Sequence, residues 1–221
     1  MAASLPFRLV AATAVLLPSL AVHADPPRQL PPRDNSCEDR AFAETWLRFK
    51  MAVVQRNSEA VMAMLDPEVH LSFGGDMGRD AFIEMWRPSD KESELWRELE
   101  EIIYLGGAFD SEEGTSFAAP SLFADFGSDP NDDAFTQLLI KGRNVRLRAE
   151  PSLDASIIAT ASWEIVERVS DWQNEQWVQV LRSDGTKGWV AAEFLRSPID
   201  YRIIFSKGPT GWKIAAFIAG D

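Results

Sequence analysis

The sequence has 221 residues, of which 34 are acidic and 22 basic, so its formal net charge is −12 at pH 7. A chain this acidic repels nucleic acid and anionic lipid surfaces, which excludes both as general partners. One cysteine and two histidines supply neither an internal disulfide nor a His/Cys zinc cluster, and we expect no metal and no cofactor.

The N-terminus predicts export. Arg8 gives a short positive region, residues 9–22 are almost wholly apolar and small, and a Val-His-Ala pattern typical of signal peptidase sites ends at Ala24. We therefore expect a signal peptide, residues 1–24, and a periplasmic or secreted protein. The apolar run is shorter than the roughly 20 residues of a spanning helix, so we expect no membrane span after cleavage. An uncleaved anchor is the alternative.

The mature chain loses one basic residue and no acidic residue with the signal peptide, so its net charge is −13. Residues 25–36 hold four prolines and predict an extended linker. Cys37 follows the linker as an incidental free thiol, with a reactive or intermolecularly bridged thiol as the alternative. His70 is the only histidine that cleavage leaves.

The residues after the linker predict mainly helices. Apolar residues at helical spacing indicate a first helix, with the face Phe42, Trp46, Phe49 and Val53. A second helix from Ser58, a strand over 69–73 and a third helix over 79–86 follow. A capping box beginning at Ser89 predicts the start of a fourth helix. A short strand is expected over 121–126.

From Phe135 the pattern changes to short apolar runs separated by turn signals, which is typical of β structure. After Pro198 the sequence predicts a last hairpin, with strands over 201–205 and 212–218. An isolated hairpin is marginally stable in water, so residues 199–221 are expected to pack back on the N-terminal helices. The β region between would then be an insertion in a split domain.

The β region carries a family resemblance. Asn144-Val145-Arg146-Leu147-Arg148-Ala149-Glu150-Pro151-Ser152 is similar to an N-V-R-x-x-P-S opening, and Gly188-Trp189-Val190 is similar to a closing G-W-V. Asp184-Gly185 between them predicts a tight turn with positive φ. In order and spacing these residues resemble the bacterial SH3 domain family over about a quarter of the chain. The resemblance implies a small closed β-barrel that binds ligands, and we assign it residues 135–198.

One position departs from the family pattern. Where the family has a glycine before its third strand, this chain has Ser162-Trp163. The departure predicts a differently shaped turn and an exposed aromatic ring at the barrel rim.

The rest of the chain resembles small α+β domains of the NTF2-like superfamily. The resemblance lies in the order of the helices, in Leu65-Asp66-Pro67-Glu68-Val69 before a strand, and in Trp212-Lys213-Ile214-Ala215 at the close. The predicted fold is therefore α+β. It combines a helical α+β domain, residues 37–134, completed by the C-terminal hairpin, with a small SH3-like β-barrel.

Five barrel residues are candidates for ligand binding: Trp163, Trp177, Trp189, Arg146 and Arg148. Aromatic rings on a concave face hold extended peptides or sugar rings, and the arginines pair with ligand carboxylates. The alternative is that Trp177 and Trp189 belong to the barrel core and that the arginines form a solvated strand face.

A catalytic site has one candidate, His70 with Asp66 or Asp76, because a histidine beside a carboxylate can move protons. The sequence offers no matching catalytic motif, so we predict a protein that is not an enzyme. Our leading hypothesis is a binding module of the periplasm or cell envelope that contacts peptidoglycan or an envelope protein. The alternatives are an NTF2-like small-ligand-binding or enzymatic domain with the barrel as targeting accessory, and a structural assembly protein.

Overall fold

The computed structural model describes residues 27–110, 113–169 and 176–220, so the predicted signal peptide lies outside the described residues. The fold is α+β, as predicted, with helices and a mixed sheet in one part and a separate antiparallel sheet in the other. In these three ranges no helix is long and apolar enough to cross a membrane.

The helices belong to the N-terminal part: α1 (Arg40–Val54), α2 (Ser58–Met64), α3 (Arg79–Trp86), α4 (Glu94–Tyr104) and α5 (Ser121–Asp125). The strands before the barrel are β1 (Arg33–Asp34), β2 (Leu65–His70), β3 (Gly106–Phe109) and β4 (Ser116–Ala119). The barrel strands are β5 (Gln137–Ile140), β6 (Val145–Arg148), β7 (Ile157–Ala161), β8 (Ile165–Arg168), β9 (Trp177–Leu181), β10 (Lys187–Ala191) and β11 (Leu195–Arg196). The C-terminal hairpin consists of β12 (Arg202–Gly208) and β13 (Gly211–Ile218).

The first sheet has the strand order β1-β3-β4-β12-β13-β2. The C-terminal hairpin lies inside it, because β12 pairs antiparallel with β4 and β13 pairs parallel with β2. The prediction that the hairpin packs back on the N-terminal part is confirmed. The barrel is therefore inserted between β4 and β12, two neighbouring strands of one sheet.

An aromatic cluster fills the core between the first sheet and the helices. The ring of Phe42 on α1 lies 4.2 Å from that of Phe117, 4.6 Å from that of Trp212 and 5.4 Å from that of Phe205. The side chain of Asp39 starts this helix by accepting a 2.9 Å hydrogen bond from the Phe42 amide, the ordinary role of an N-cap aspartate. Two of these rings come from the hairpin, so the core closes only when the chain's end returns.

Three predictions in this part are wrong, two because local turn bonds delay or end an element and one because a proline ends a strand. Helix α4 starts at Glu94 rather than at Ser89, because the Asp90 side chain accepts a 2.9 Å bond from the Glu92 amide in a turn. Strand β2 ends before Ser72, whose hydroxyl donates to Asp76 over 2.7 Å. Residues 121–126 contain helix α5, because Pro120 cannot donate to a ladder and ends strand β4.

The second sheet forms the barrel with the order β11-β5-β8-β9-β10-β6-β7, and every neighbouring pair is antiparallel. Its interior is small and aliphatic, lined by Leu138, Ile140, Val145, Leu147, Ala161, Val166, Val178, Val180, Val190 and Leu195. Gly185 has φ +83°, which confirms the predicted tight turn at Asp184-Gly185.

The described residues of the proline-rich segment before α1 are extended, and their backbone is hydrogen-bonded to both parts of the protein. The backbone joins the barrel, where the Leu30 amide donates to the Trp163 carbonyl over 2.7 Å and Arg28 accepts from Ile165 over 2.9 Å. A few residues later, Arg33–Asp34 pair in parallel with β3. The non-proline residues between the prolines keep the amides and carbonyls that these bonds require.

Candidate ligand-binding groove

Strand register places several of the predicted residues on the outer face of the barrel. Val178, Val180 and Val190 point into the core, so the alternate residues on β9 and β10 point outward. Trp189 lies opposite Arg148 on one side and opposite Gln179 on the other. Residues opposite one another on paired strands share a face, so the outer face carries both aromatic and basic groups.

A surface pocket of about 390 Å³ brings together three of the five predicted residues, Arg146, Arg148 and Trp177. The rest of its lining comprises Arg143, Asn144, Val145, Leu153, Ala191, Glu193 and Phe194. An adjoining pocket of about 630 Å³ also contains Leu153, Trp177, Ala191 and Glu193, and adds Pro151, Ser152, Gln176 and Ala192. We call these two pockets together the Trp177 groove.

One wall of the Trp177 groove is apolar and accessible. Trp177 is half-buried, Leu153 has 75% of its surface exposed and Phe194 has 41% exposed. A tryptophan held by its strand beside two accessible apolar side chains offers a flat surface to a peptide or a sugar ring.

The basic side of the groove divides into free and bound arginines. Arg143 and Arg146 are exposed, and within the described ranges neither guanidinium has an ion-pair or hydrogen-bond partner. Arg148 is only 8% exposed and donates a 2.7 Å hydrogen bond to the Ala155 carbonyl, so it supports the loop after β6. Glu193, also exposed, is the acidic residue of the lining. The groove thus presents two exposed cations that no described residue neutralises, in an acidic protein.

Trp163 lies elsewhere, in the contact between the barrel and the N-terminal part. It is half-buried rather than exposed at the rim, and it packs on the apolar cluster that includes Leu122, Leu139 and Ile165. Its ring lies 6.2 Å from that of Tyr104 on α4. The expectation of an exposed ring at this position is wrong, because the N-terminal part covers that end of the barrel. The role of Trp163 in ligand binding stays a prediction.

The backbone of Trp163 keeps the conformation that a glycine would adopt at this position. Its φ is +53°, a left-handed conformation that glycine adopts freely and that costs other residues free energy. Its amide donates to Gly142 over 3.0 Å, and its carbonyl accepts from Leu30. The neighbouring Glu164, 1% exposed, accepts two hydrogen bonds from Arg182, of 2.8 and 3.0 Å. This buried pairing raises the pKa of Arg182 and holds the turn in place.

Trp189 is half-buried on the outer face but is absent from the lining of the Trp177 groove. Sequence reasoning missed Leu153, Phe194 and Glu193, because residues in turns and short 3-10 helices give no periodic signal that separates exposed from buried positions. Arg143 lies just before β6, which carries the predicted residues Arg146 and Arg148. Its closeness in sequence to these two arginines was the signal that could have identified it.

The geometry agrees with a family comparison, in which the family model of the bacterial SH3 domain matches residues 143–196. Residues 143–196 form a bacterial SH3 domain. A search of curated proteins and a search of solved structures each found no match to the chain. The match begins after β5, yet this strand pairs with both β8 and β11, so the folded SH3 domain uses one strand more than the matched segment.

The candidates for a catalytic site, His70 and Asp76, lie in the N-terminal part. His70 is exposed at the end of β2 and lies opposite Ala216, while the Asp76 carboxylate accepts from Ser72 in a surface turn. Among the described residues, no group of three or more His, Cys, Asp or Glu side chains could hold a metal ion. Cys37 is exposed in a 3-10 helix. The absence of enzymatic activity and the NTF2-like resemblance both stay predictions.

Proposed function

We propose that this protein is a non-enzymatic binding module, exported to the bacterial periplasm or cell envelope, whose SH3 domain holds its ligand in the Trp177 groove. The observation that carries the proposal is the convergence of Trp177 with two exposed arginines, Arg143 and Arg146, that have no ion-pair partner in the part of the chain that the structure describes. Export rests on the N-terminal sequence, residues 1–24.

The ligand that fits this groove is an extended chain with carboxylates, such as the stem peptides of peptidoglycan or a peptide of an envelope protein. Apolar segments of such a chain pack against Trp177, Leu153 and Phe194, which removes accessible apolar surface from water. Guanidinium groups bind carboxylates through charge-assisted hydrogen bonds. Among the described residues Arg143 and Arg146 have no ion-pair partner, so a ligand carboxylate does not have to displace one of those residues from them.

The N-terminal part acts as a scaffold for the SH3 domain in this proposal. It contacts the end of the barrel that carries Trp163 and the β5–β11 edge, through Lys141 and Arg196. The Trp177 groove involves neither contact, so it stays open while the barrel is held in a fixed orientation.

The experiment is co-sedimentation of residues 25–221 with purified peptidoglycan sacculi. We expect the wild type to pellet with the sacculi and Trp177→Ala and Arg143→Gln/Arg146→Gln to stay in the supernatant. Arg40→Gln is the matched control, because Arg40 is 94% exposed on α1, outside the groove. Circular dichroism checks the fold of each variant.

Absence of wild-type binding to sacculi would exclude peptidoglycan and direct the search to a protein ligand. Equal binding by the wild type and both groove variants would place the binding surface outside the Trp177 groove.

A further inference from the structure

Ala191, at the end of β10, lies where the two pockets of the Trp177 groove meet. It belongs to the lining of both pockets. The preceding residue, Val190, points into the barrel core, so the Ala191 side chain points outward, and it is half-buried. At this point the floor of the groove is therefore no larger than a methyl group.

Two larger side chains flank Ala191 on the neighbouring strands. Strand β10 lies between β9 and β6, and Ala191 lies directly opposite Trp177 of β9. On the other side Trp189 lies opposite Arg148, and two residues further along each antiparallel strand Arg146 comes beside Ala191. Trp177 and Arg146 both line the same pocket as Ala191. The indole ring, the methyl group and the guanidinium thus form one row across the outer face of the sheet.

This row forms a slot with Ala191 as its floor. Neighbouring strands lie about 4.8 Å apart, so the backbones that carry Trp177 and Arg146 are separated by roughly 10 Å. One extended peptide chain occupies about one strand spacing, so a single chain fits between the two side chains above Ala191. A ligand residue with a side chain larger than a methyl group at this place would have to displace one of the two walls.

The two walls of the slot differ in chemistry. Arg146 is exposed, and no described residue forms an ion pair with it, whereas the half-buried ring of Trp177 offers an apolar face. A side-chain carboxylate of aspartate or glutamate brings one or two methylene groups into the slot. A carboxylate at the C-terminus of a peptide is attached directly to the backbone, so it meets the guanidinium without needing that space.

We propose that the Trp177 groove binds a peptide that ends in alanine or glycine, and that Ala191 sets this size limit. The inference rests on the proposed function, because it names the ligand of the same groove. The terminal carboxylate accepts hydrogen bonds from the Arg146 guanidinium, the terminal residue lies on Ala191, and the peptide backbone packs against the Trp177 ring. The affinity for a short peptide is of roughly millimolar order, since few ligand atoms make contacts.

The test is a titration of the ¹⁵N-labelled mature chain, residues 25–221, with tri-L-alanine, followed by the Trp177 indole N–H resonance. This resonance is assigned as the one lost in Trp177→Phe, a substitution at a half-buried position. We expect tri-L-alanine to shift it saturably. The peptide L-Ala-L-Ala-L-Val and the C-terminal amide of tri-L-alanine should each bind about tenfold more weakly, the first because the slot lacks room and the second because it lacks the carboxylate.

A substitution in the floor of the slot tests Ala191 itself. Ala191→Leu fills the slot, so the affinity for tri-L-alanine should fall by about tenfold or more. Thr160→Leu is the matched control, because Thr160 lies opposite Arg146 on β7, is exposed and is absent from the lining of both pockets. The affinity of this control should equal that of the wild type. The comparison of the three peptides on the wild-type chain decides the question even if Ala191→Leu fails to fold.

A Trp177 resonance that does not shift with tri-L-alanine up to about 50 mM overturns the proposal, since that concentration exceeds the expected dissociation constant. Equal affinity for tri-L-alanine and L-Ala-L-Ala-L-Val overturns the size limit. If sacculi still bind the wild type and not Trp177→Ala, the proposed function stands while the inference falls. Binding of tri-L-alanine without binding to sacculi has the opposite meaning: it supports the inference and excludes peptidoglycan as the ligand.

Discussion

The guanidinium of Arg196, in the last strand of the SH3 domain, donates a 2.8 Å hydrogen bond to the carboxylate of Glu101 on α4. Lys141, at the end of β5, donates to the same carboxylate oxygen over 2.6 Å. The Arg196 side chain is only 2% exposed, so this is a buried contact between the two parts rather than a surface ion pair. It ties the SH3 domain to the helices on which it is inserted.

Replacing Glu101 by Gln should lower the free energy of unfolding by about 2 kcal/mol, because the variant leaves Arg196 buried beside a weaker acceptor. Urea denaturation of the mature chain measures the change. Glu100→Gln is the control: its carboxylate is 47% exposed and contacts Arg56 at 3.5 Å, so we expect a change within about 0.5 kcal/mol. Equal effects of the two substitutions would contradict a structural role for the buried contact.

The neighbouring carboxylates Glu98 and Glu101 should give opposite pH dependence. Burial opposes ionisation of Glu101, but hydrogen bonds from Lys141 and the charge of Arg196 lower its pKa below the ordinary 4.5. Its contribution to stability is therefore complete above pH 4.5 and is lost as the pH falls through its folded-state pKa. Burial raises the pKa of Glu98, so its contribution is present at low pH and is lost as the pH rises through that raised value.

Unfolding curves between roughly pH 4 and pH 8 separate the two residues. Glu98→Gln should stabilise the protein near neutral pH, since it removes a carboxylate whose ionisation is opposed by burial. Glu101→Gln should destabilise it there. If both variants shift stability in the same direction at neutral pH, the opposite assignment of the two residues is wrong.

Trp163 should tolerate glycine better than alanine. Either substitution removes the ring from the contact with Tyr104 and the adjoining apolar cluster, which we expect to cost about 2–3 kcal/mol. Glycine recovers about 1 kcal/mol, because φ +53° is unstrained for it. Thermal unfolding of both variants checks the order, and ligand binding in the Trp177 groove should be unchanged in each.

Alanine should destabilise the SH3 domain at both Gly188 and Gly185, but for different physical reasons. A Cβ at Gly188 would lie 3.0 Å from Ile158 Cδ1 and 3.2 Å from Leu147 Cβ, so Gly188→Ala should destabilise the SH3 domain by about 1–3 kcal/mol through overpacking. At Gly185 the space is open, and alanine is disfavoured only by the φ of +83°, which costs about 1 kcal/mol. A milder effect at Gly188 than at Gly185 in urea denaturation would refute the packing argument.

Binding in the Trp177 groove should weaken with salt, because Arg143 and Arg146 are exposed and their attraction to ligand carboxylates is screened. We expect the fraction bound to sacculi to fall as the salt concentration rises from about 0.05 M to 0.5 M, at which the screening length approaches a few ångströms. Arg143→Gln and Arg146→Gln are also measured as single substitutions. Where a single variant still binds, we expect its bound fraction to depend less steeply on salt than that of the wild type. A dependence as steep as that of the wild type would show that other charges dominate.

Local patterns predicted much of the fold. The face of α1, the third helix and the Asp184-Gly185 turn follow from residues within one or two turns of each other, so short stretches of sequence suffice. The start of α4 was wrong because Ser89 and Glu92 satisfy a capping pattern, yet the Asp90 side chain takes the Glu92 amide. Two local solutions competed there, and sequence alone does not rank them.

The candidate site was predicted in part. Arg146 and Trp177 were found because their strands belong to a recognisable family pattern, and strand alternation places them outward. Leu153 and Phe194 were missed because their exposure depends on which segments of the chain cover that face. Trp163 was misplaced for the same reason: its sequence position is at a barrel turn, and only the folded chain brings Tyr104 against it.

The sequence by itself determined the α+β class, the SH3 domain and the return of the C-terminal hairpin, because periodicity, turn chemistry and the instability of a lone hairpin act over short stretches. The tertiary structure decided the rest. It paired Arg33 of the proline-rich segment with Gly106 in a sheet, and it brought Arg143 and Trp177 into one groove. Each of these features depends on contacts between residues far apart in the chain. Such contacts stabilise the protein only after the intervening elements have packed.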